Sequence, residues 1–340
     1  MTEMKPLVDV VLLNSNGARH TVECLESLLR SDYPAFRVIV ADNKSTDDSL
    51  LRIRDWLCGE APPFDADDIP APLRAYVLPP VAKPIAFVEA HAGDDLHFGE
   101  TQVAILHVGH NAGFSGGNNS ALRASMRTGA RYMWLLNNDT VVAPDCLTEL
   151  VREAELLPKL GVVGGTLLEY REPHTIQAAS GGTISVSTGS VLRINQIGRP
   201  RASLNETTTD FNFVSGCSLL IRREALEDIG LLDERFFIYA EDGDYSLRMR
   251  KNGWDIGYAP RASIWHKGSA STVKGSPFND YHHVRSSLLF VHKWHRWRLP
   301  LAFVYWAYRG AAPKIVRRQW SRLAAVRRGM SDAVRVMLST

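Results

Sequence analysis

The sequence of 340 residues has few cysteines, almost no net charge and no hydrophobic run long enough to cross a membrane. Its four cysteines show no CxxC spacing, which predicts reduced thiols and argues against disulfides or a zinc site. The best candidate for a span, 299–308, ends at Arg309, well short of the roughly 20 residues required. A net charge of +2 carries no nucleic-acid signature. With no signal-peptide pattern at the N-terminus, these absences predict a cytoplasmic globular protein.

The sequence also lacks GxGxxG and GxxxxGK[ST], which argues against a Rossmann dehydrogenase and a P-loop NTPase. It does contain strand and helix patterns in alternation, and this alternation predicts a parallel, doubly wound sheet. Ser45 and Asp48 have capping-box spacing at the start of one helix. Residues 59–100 hold seven prolines and are predicted to form an irregular insertion, to which no function is assigned. The predicted strands are 8–14, 36–43, 103–108 and 132–139, and the predicted helices are 21–31, 45–57 and 116–130.

Polar side chains follow all four predicted strands. A single polar strand end is usually just a turn. Ligands bind at the carboxyl ends of parallel strands, so four strands that all end in polar residues indicate a binding site. In NAGFSGGNN (111–119), Gly113, Gly116 and Gly117 would let the backbone approach a ligand before a helix N-terminus that favours anions. The pattern therefore indicates a nucleotide site of another kind. The polar residues are Asn14, Asn16, Asp42, Asn43, Asn111, Asn137, Asn138 and Asp139.

The stretch FIYAEDGDYSLRMR (237–250) places Glu241, Asp242 and Asp244 within four positions. Like charges so close raise one another's pKa, as a general base requires. Arg248 follows Asp244 by one helical turn, so the two are expected to pair. The alternative is an ordinary helix start, because acids favour the first turn.

Taken in order, these stretches resemble glycosyltransferase family 2, enzymes of the GT-A fold, and within it a rhamnosyltransferase-like branch. The match runs from residue 7 to about residue 270. It implies an α/β, Rossmann-like GT-A fold with a mostly parallel sheet and flanking helices, and the residues beyond the match are predicted to form a basic helical tail. The carrying motifs are VVLLNSNG (10–17), VADNKSTDDS (40–49), NAGFSGGNN (111–119), LLNNDT (135–140), FVSGCSLLIRRE (213–224), FFIYAEDGDYSLR (236–248) and WHKGS (265–269).

The resemblance also implies a division of the chain and roles for single residues. Residues 1–145 would bind the nucleotide-sugar, 146–285 would bind acceptor and carry catalysis, and 286–340 would form the tail. Asp242 would be the base, with Glu241 and Asp244 orienting it or binding acceptor hydroxyls. The expected donor-binding residues are Asn14, Asn16, Asp42, Asn43, Asn111, Gly113, Phe114, Asn137, Asn138 and Asp139.

A divalent cation, Mg²⁺ or Mn²⁺, is the cofactor that the resemblance implies. Asp139 stands where the family has the last acid of its DxD motif, and His266 matches the second protein ligand. Asn137 and Asn138 replace the earlier acids, so the metal is expected to bind weakly without nucleotide. A lone His next to Trp is otherwise more often packed and hydrogen-bonded. Asp42 is expected to contact the nucleoside.

The implied reaction is inverting, metal-dependent transfer from a dTDP- or UDP-sugar, with dTDP-rhamnose preferred, to a polysaccharide or lipid-linked glycan of the cell envelope. A nucleotidyltransferase is one alternative, but SNGARH (15–20) stands where its glycine-rich loop should follow the first strand. A processive synthase would need transmembrane helices and QxxRW. A non-catalytic, sugar-binding scaffold is a further alternative, favoured by the two Asn residues before Asp139.

The C-terminal tail is strongly basic. Ten Lys or Arg and no acid lie between Lys293 and Arg328. An apolar stripe on a basic helix predicts peripheral contact with an anionic membrane, here the cytoplasmic face of the inner membrane. The alternatives are a homodimer interface and a helix that covers the catalytic domain. The stripe consists of Val316, Trp320, Leu323, Val326, Met330 and Val334.

Overall fold

A computed structural model describes residues 5–61, 66–268 and 275–339 of the chain. Within that part, strands form where short aliphatic and β-branched runs lie between turn residues. The strands are β1 Val8–Asn14, β2 Phe36–Asp42, β3 Phe87–His91, β4 Val103–His107, β5 Tyr132–Asn137, β6 Thr140–Val142, β7 Leu160–Glu169, β8 Ile176–Ala179, β9 Gly181–Ile184, β10 Val191–Ile194, β11 Phe213–Val214, β12 Ser218–Arg222 and β13 Asp255–His266.

Helices alternate with these strands and then dominate the C-terminal part. A π-helical turn, Ala307–Ala311, joins the ninth helix to the tenth. The helices are α1 Ala18–Leu28, α2 Ser49–Cys58, α3 Arg74–Val77, α4 Gly113–Ser125, α5 Cys146–Leu156, α6 Arg223–Ile229, α7 Glu241–Lys251, α8 Pro277–His295, α9 Leu299–Trp306, α10 Ala312–Val316 and α11 Trp320–Leu338.

A ten-stranded mixed sheet organises the molecule, in the order β3–β4–β2–β1–β5–β12–β7–β13–β6, with β8 paired to β7. The first five of these strands are parallel, and β12 runs antiparallel between β5 and β7. This architecture confirms the predicted α/β class with a mostly parallel sheet. Strands from both sides of residue 145 share the sheet, and a division of the chain there stays a prediction.

Both faces of the large sheet are buried, which explains the continuous apolar run of β1. Val8, Val10 and Leu12 join the core on one face, and Val11 joins the core on the other. Strands buried on both sides need apolar residues at every position, so they show no alternation with polar ones. The carboxyl ends of β1, β2, β4 and β5 consequently face one common edge of a rigid layer.

Several predicted bounds were wrong. α1 begins at Ala18 and α2 at Ser49, and the predicted capping box is absent because the Ser45 hydroxyl donates to Asp42 Oδ1 (2.5 Å). The insertion contains a regular strand, β3, which pairs with β4 at the edge of the sheet. Its alternation is hidden because the strand lies at an edge, where most of its side chains are only partly buried.

The C-terminal helices form a third core together with Ile184, Phe213 and Phe236. The apolar stripe predicted for the tail was wrong, because its residues do not lie on one surface. In α11, Val326 and Ala333 are buried and Met330 is half-buried against the core that includes α8. Val316 and Trp320, by contrast, are exposed. Part of the tail therefore covers the domain, as one alternative predicted. In the three described ranges, no helix is both long and apolar enough to cross a bilayer.

Candidate active site

The ends of β1 and β2 are joined by hydrogen bonds, as their predicted convergence requires. Asn14 Nδ2 donates to Asp42 Oδ1 (3.0 Å), and the backbone N–H of Ser45 donates to Asp42 Oδ2 (3.1 Å). Asn16 Oδ1 accepts from the Thr46 N–H (2.7 Å) and closes the same loop. Asp42 is buried, so its carboxylate is held in one orientation by its donors.

Asn43 continues this rim to the start of α4. Its Nδ2 group donates to Asn111 Oδ1 (3.1 Å), and its Oδ1 accepts from the Ala112 N–H (2.9 Å). The expectation that Gly113, Gly116 and Gly117 approach a ligand needs correction. Gly116 and Gly117 lie inside α4, where Gly117 leaves room for Leu13.

Gly113 has a left-handed backbone (φ +69°), and a Cβ there would overlap the carbonyl of Phe237. The N–H of Phe114 donates to that carbonyl (2.7 Å). Gly113 therefore brings two chain segments together, and the Phe114 ring comes to lie beside Gly216. A Cβ built on Gly216 would meet Phe114 Cζ at 3.4 Å and Asp242 Cβ at 3.5 Å. The segment that begins α4 and the acid motif thus meet at Gly216.

Asp139 and His266 are neighbours because β13 pairs antiparallel with β6, placing His266 opposite Thr140. His266 Nε2 lies 3.2 Å from Asp139 Oδ1 and 3.4 Å from Asn137 Nδ2. Asn138 points elsewhere, donating to Thr21 Oγ1 (2.9 Å) on α1. Ser269 of the WHKGS motif lies outside the described residues.

Gln177 on β8 fixes the orientation of the His266 ring. Its Oε1 lies 2.6 Å from His266 Nδ1, which can donate there and leave the Nε2 lone pair facing Asp139. A buried carboxylate beside an imidazole nitrogen whose tautomer is set from behind fits a divalent cation. Across the described chain, no group of three or more His, Cys, Asp or Glu side chains is arranged to hold a metal. Asp139 and His266 would therefore need oxygen ligands from the donor.

A half-buried ion pair next to His266 was missed by the sequence reasoning. The Lys267 ammonium pairs with Glu23 Oε2 (2.5 Å) and lies 3.0 Å from His20 Nδ1, while the Lys267 N–H donates to the Asp139 carbonyl. Burial, followed by the charge of Lys267, lowers the pKa of His20. Buried Glu23 on α1 was a usable signal, since an acid on the apolar face of a helix needs a cationic partner.

The acid motif begins α7 directly after two strained residues. Tyr239 and Ala240 have φ values of +70° and +68°, a region that costs non-glycine residues about 1–3 kcal/mol each. Contacts from α8 hold this conformation: the Tyr239 ring stacks on His283 at 3.8 Å, and its hydroxyl donates to Asn279 Oδ1 (2.8 Å). The strained turn sets the direction in which the first residues of α7 point.

Glu241 and Asp242 occupy different environments. Half-buried Asp242 accepts from the N–H groups of Gly216 (3.1 Å) and Gly243 (2.7 Å). Burial raises the pKa of Asp242, and these two donors limit the rise. Burial and then the charge of Asp242 raise the pKa of Glu241 well above its usual range, and its Oε2 has no hydrogen-bond partner in the described structure. Asp242 is therefore the first of the pair to ionise.

Asp244 is not available to an acceptor, which corrects the role expected for it. Its fully buried carboxylate accepts from Arg248 Nε (3.0 Å), Lys293 Nζ (2.8 Å) and Trp294 Nε1 (2.9 Å). The predicted pairing with Arg248 is confirmed. Asp244 joins α7 to α8, so its role is structural.

Residues 91–280 match the family model described as glycosyltransferase like family 2. This chain belongs to glycosyltransferase family 2. The matched residues are more than half of the chain, and they include Asp139, Asp242 and His266. Family membership makes the protein a glycosyltransferase and removes the nucleotidyltransferase alternative.

Two bacterial proteins are similar to this chain in sequence. The N-acetylglucosaminyl-diphospho-decaprenol L-rhamnosyltransferase of Mycobacterium tuberculosis H37Rv is 27% identical over 226 residues, covering 62% of this chain and 73% of that protein. The O-antigen biosynthesis protein RfbC of Myxococcus xanthus is 32% identical over 155 residues, covering 44% of this chain and 12% of that protein.

Solved structures confirm the GT-A fold. A mannosyltransferase from Pyrobaculum calidifontis, in complex with GDP-Man and Mn²⁺, has a TM-score of 0.52 at 16% identity over 97% of this chain and 88% of its own. GalNAc-T7 with UDP, GalNAc and Mn²⁺ has a TM-score of 0.53 at 15% identity over 84% of this chain and 48% of its own.

Proposed function

We propose that this family 2 enzyme transfers a sugar from a nucleotide-sugar to an acceptor hydroxyl with inversion, using Asp242 as the general base. The observation that carries the proposal is the meeting of donor side and base at Gly216. Phe114 there belongs to the segment that Asn43 and Asn111 join to the strand ends. A carboxylate with a raised pKa beside the donor-binding rim is suited to proton abstraction.

In the proposed reaction, the acceptor oxygen attacks the anomeric carbon and its proton passes to the Asp242 carboxylate. The new acceptor–carbon bond forms as the bond from the anomeric carbon to the diphosphate oxygen breaks. The backbone N–H groups of Gly216 and Gly243 hold the carboxylate in place. Glu241 stays protonated to a higher pH than Asp242, so within the pair only Asp242 carries the negative charge.

The leaving diphosphate carries most of the charge in this reaction. A divalent cation, Mg²⁺ or Mn²⁺, supplies charge neutralisation there when it is bound. Asp139 Oδ1 and His266 Nε2 would hold it, with Gln177 keeping the imidazole in the ligating tautomer. The Lys267 ammonium is paired with Glu23, and its backbone N–H donates to the Asp139 carbonyl, which fixes the chain between the two proposed ligands.

Rhamnose from dTDP-rhamnose is the proposed sugar, and a lipid-linked glycan is the proposed acceptor. The name of the M. tuberculosis relative specifies L-rhamnose transfer to a diphospho-decaprenol-linked sugar, and that similarity covers 73% of the relative. Such an acceptor would place the enzyme at the cytoplasmic face of the inner membrane. A homodimer stays an untested alternative for the tail.

A panel of nucleotide-sugars tests this function. With Mn²⁺ present, dTDP-rhamnose is expected to raise the Tm more than UDP- or GDP-sugars do, because ligands that bind the folded state stabilise it. The same donor should release dTDP when a lipid-linked N-acetylglucosamine acceptor is added. No stabilisation by any nucleotide-sugar would overturn the proposal, and stabilisation without transfer to any acceptor would favour the non-catalytic scaffold.

Asp42 is proposed to contact the nucleoside. Asp42→Ala is expected to raise the donor KM by about tenfold, since losing a buried hydrogen bond costs about 1–3 kcal/mol, while the Mn²⁺ requirement stays the same. Steady-state kinetics at varied donor and Mn²⁺ check this. Ser45→Ala is the matched control, because it removes the hydrogen bond from the Ser45 hydroxyl to Asp42 Oδ1 but keeps the carboxylate and the backbone N–H donor. An equal KM rise in both variants would assign the effect to loop geometry.

A further inference from the structure

A second apolar stripe lies on the helical segment from 296 to 316, and it faces solvent. Five large apolar side chains recur there at steps of four, three, four and seven residues. Leu301 and Val304 share one face of α9, while the others lie in the 3-10 turn before it, the π-helical turn after it and α10. Each of them is more than half exposed. They are Trp297, Leu301, Val304, Tyr308 and Ile315, called the outer stripe below.

The opposite side of the same segment already packs on the protein. Ala302 is fully buried and Gly310 is buried, and Trp306 Nε1 donates to the Thr188 carbonyl (2.9 Å). The outer stripe is therefore not the side that holds the segment to the domain. A helix that is apolar on both sides needs a second apolar environment, and a contiguous exposed apolar patch marks an interaction surface.

The charges around the outer stripe indicate what that environment is. Arg296, Arg309, Arg317 and Arg318 are exposed around it, and the sequence between Lys293 and Arg328 holds no acid. Trp and Tyr are the aromatic residues that favour the boundary between lipid headgroups and acyl chains. An apolar surface with a basic rim complements an anionic bilayer. A two-fold dimer through this surface would instead bring like-charged rims together.

A cavity at the first residue of the outer stripe adds donors at headgroup level. Its volume is about 630 Å³, and Trp297 lines it together with Arg235, His292, His295 and Arg296. Arg235 pairs with Asp233 (2.6 Å). Arg235 is thereby engaged, so the donors left for a phosphate oxygen are the Arg296 guanidinium and the His292 and His295 imidazoles, which suit the phosphate of an anionic phospholipid.

We propose that the outer stripe is the membrane-binding surface of this enzyme, inserted into the headgroup region of an anionic bilayer. This relocates the contact expected of α11, whose buried side packs on α8. The proposal rests on the proposed function only for its purpose, which is to bring the site to a lipid-linked acceptor. Insertion of the outer stripe would leave α11 in place as part of the fold.

Co-sedimentation with phosphatidylglycerol vesicles, and with phosphatidylcholine vesicles for comparison, tests the surface. The full chain should pellet with the first and much less with the second, and added salt should weaken pelleting. Leu301→Gln/Val304→Gln should lower vesicle affinity by about tenfold or more, because it removes apolar area from the lipid contact. Leu156→Gln/Leu157→Gln is the matched control. Its side chains are 65% and 54% exposed, against 55% and 67% for the stripe pair.

Each outcome decides the matter. Pelleting that the stripe variant loses and the control retains supports the proposal. No pelleting of the full chain, or equal losses in both variants, overturns it. A dimer by sedimentation equilibrium that only the stripe variant dissociates would assign the surface to a second copy. Thermal stabilisation by nucleotide-sugar, measured on the same samples, separates this from the proposed function, since it should be equal in all three proteins.

Discussion

Asp242→Asn is expected to lower kcat by about 10²-fold or more, with the donor Kd near that of the wild type. Asparagine keeps the size of the side chain and can still be held near Gly216, but it cannot take the acceptor proton. Initial rates of nucleotide release, together with donor binding by calorimetry, measure the two effects separately.

Asp210→Asn is the matched control for this variant. Asp210 is an exposed carboxylate paired with Arg193, and an exposed ion pair contributes little. Its kcat should be unchanged. Ordinary turnover by Asp242→Asn would show that another group, or water, takes the proton.

The pH profile of the wild type gives an independent measure of the same group. Burial raises the pKa of Asp242, so its active, ionised form is lost as pH falls through a value above that of an ordinary carboxyl. A free Asp has a pKa of about 4. The acidic limb of kcat/KM should therefore lie at a pH above that value. In Asp242→Asn the residual activity should lack this limb, and a limb that persisted unchanged would belong to a different group.

The second large effect concerns Asp139. Asp139→Ala is expected to raise the nucleotide Kd by about tenfold or more in the presence of Mn²⁺, and to leave it nearly unchanged without the metal. Metal and diphosphate each stabilise the other's binding when the metal contacts both protein and diphosphate, so losing a protein ligand to the metal also weakens nucleotide binding when the metal is present. Calorimetric titration of the wild type and of Asp139→Ala with nucleotide, each with and without Mn²⁺, gives the four dissociation constants that this comparison needs.

Two variants sharpen this test. Asp145→Ala removes an exposed carboxylate at the start of α5 and should leave both affinities unchanged. Gln177→Ala should lower metal affinity by about 10–100-fold, because it frees the His266 ring without removing a ligand. If wild-type nucleotide affinity is the same with and without Mn²⁺, the bridging role of Asp139 is wrong.

The sequence predicted the convergence of the polar strand ends well because these residues follow regular strands; that they bind the donor stays a prediction. Parallel pairing of β1 with β2 brings Asn14 beside Asp42 independently of loop conformation. Strand order alone was therefore sufficient to predict that these two side chains are neighbours. The neighbourhood of Asp139 and His266 could not be found in this way. It depends on antiparallel pairing of β13 with β6, and only the resemblance indicated it.

The predictions failed where tertiary contacts decide orientation. Asp242 and Asp244 are about 200° apart around a helix, so both cannot face one cleft. Nothing in the local sequence shows that Lys293 and Trp294, on a later helix, bind Asp244. Gln177 was missed for the same reason, since β8 contacts His266 only through the folding of the sheet.

The left-handed turn at Tyr239 and Ala240 has a consequence for engineering this enzyme. Glycine at position 240 would relieve roughly 1 kcal/mol of backbone strain, so a screen for heat resistance would select it. The same change would loosen the connection that orients the start of α7, where the proposed base Asp242 lies. We expect thermostability gained there to come with a lower kcat, because relieving strain that orients a site lowers activity. Selection should therefore be directed at exposed loops away from this turn.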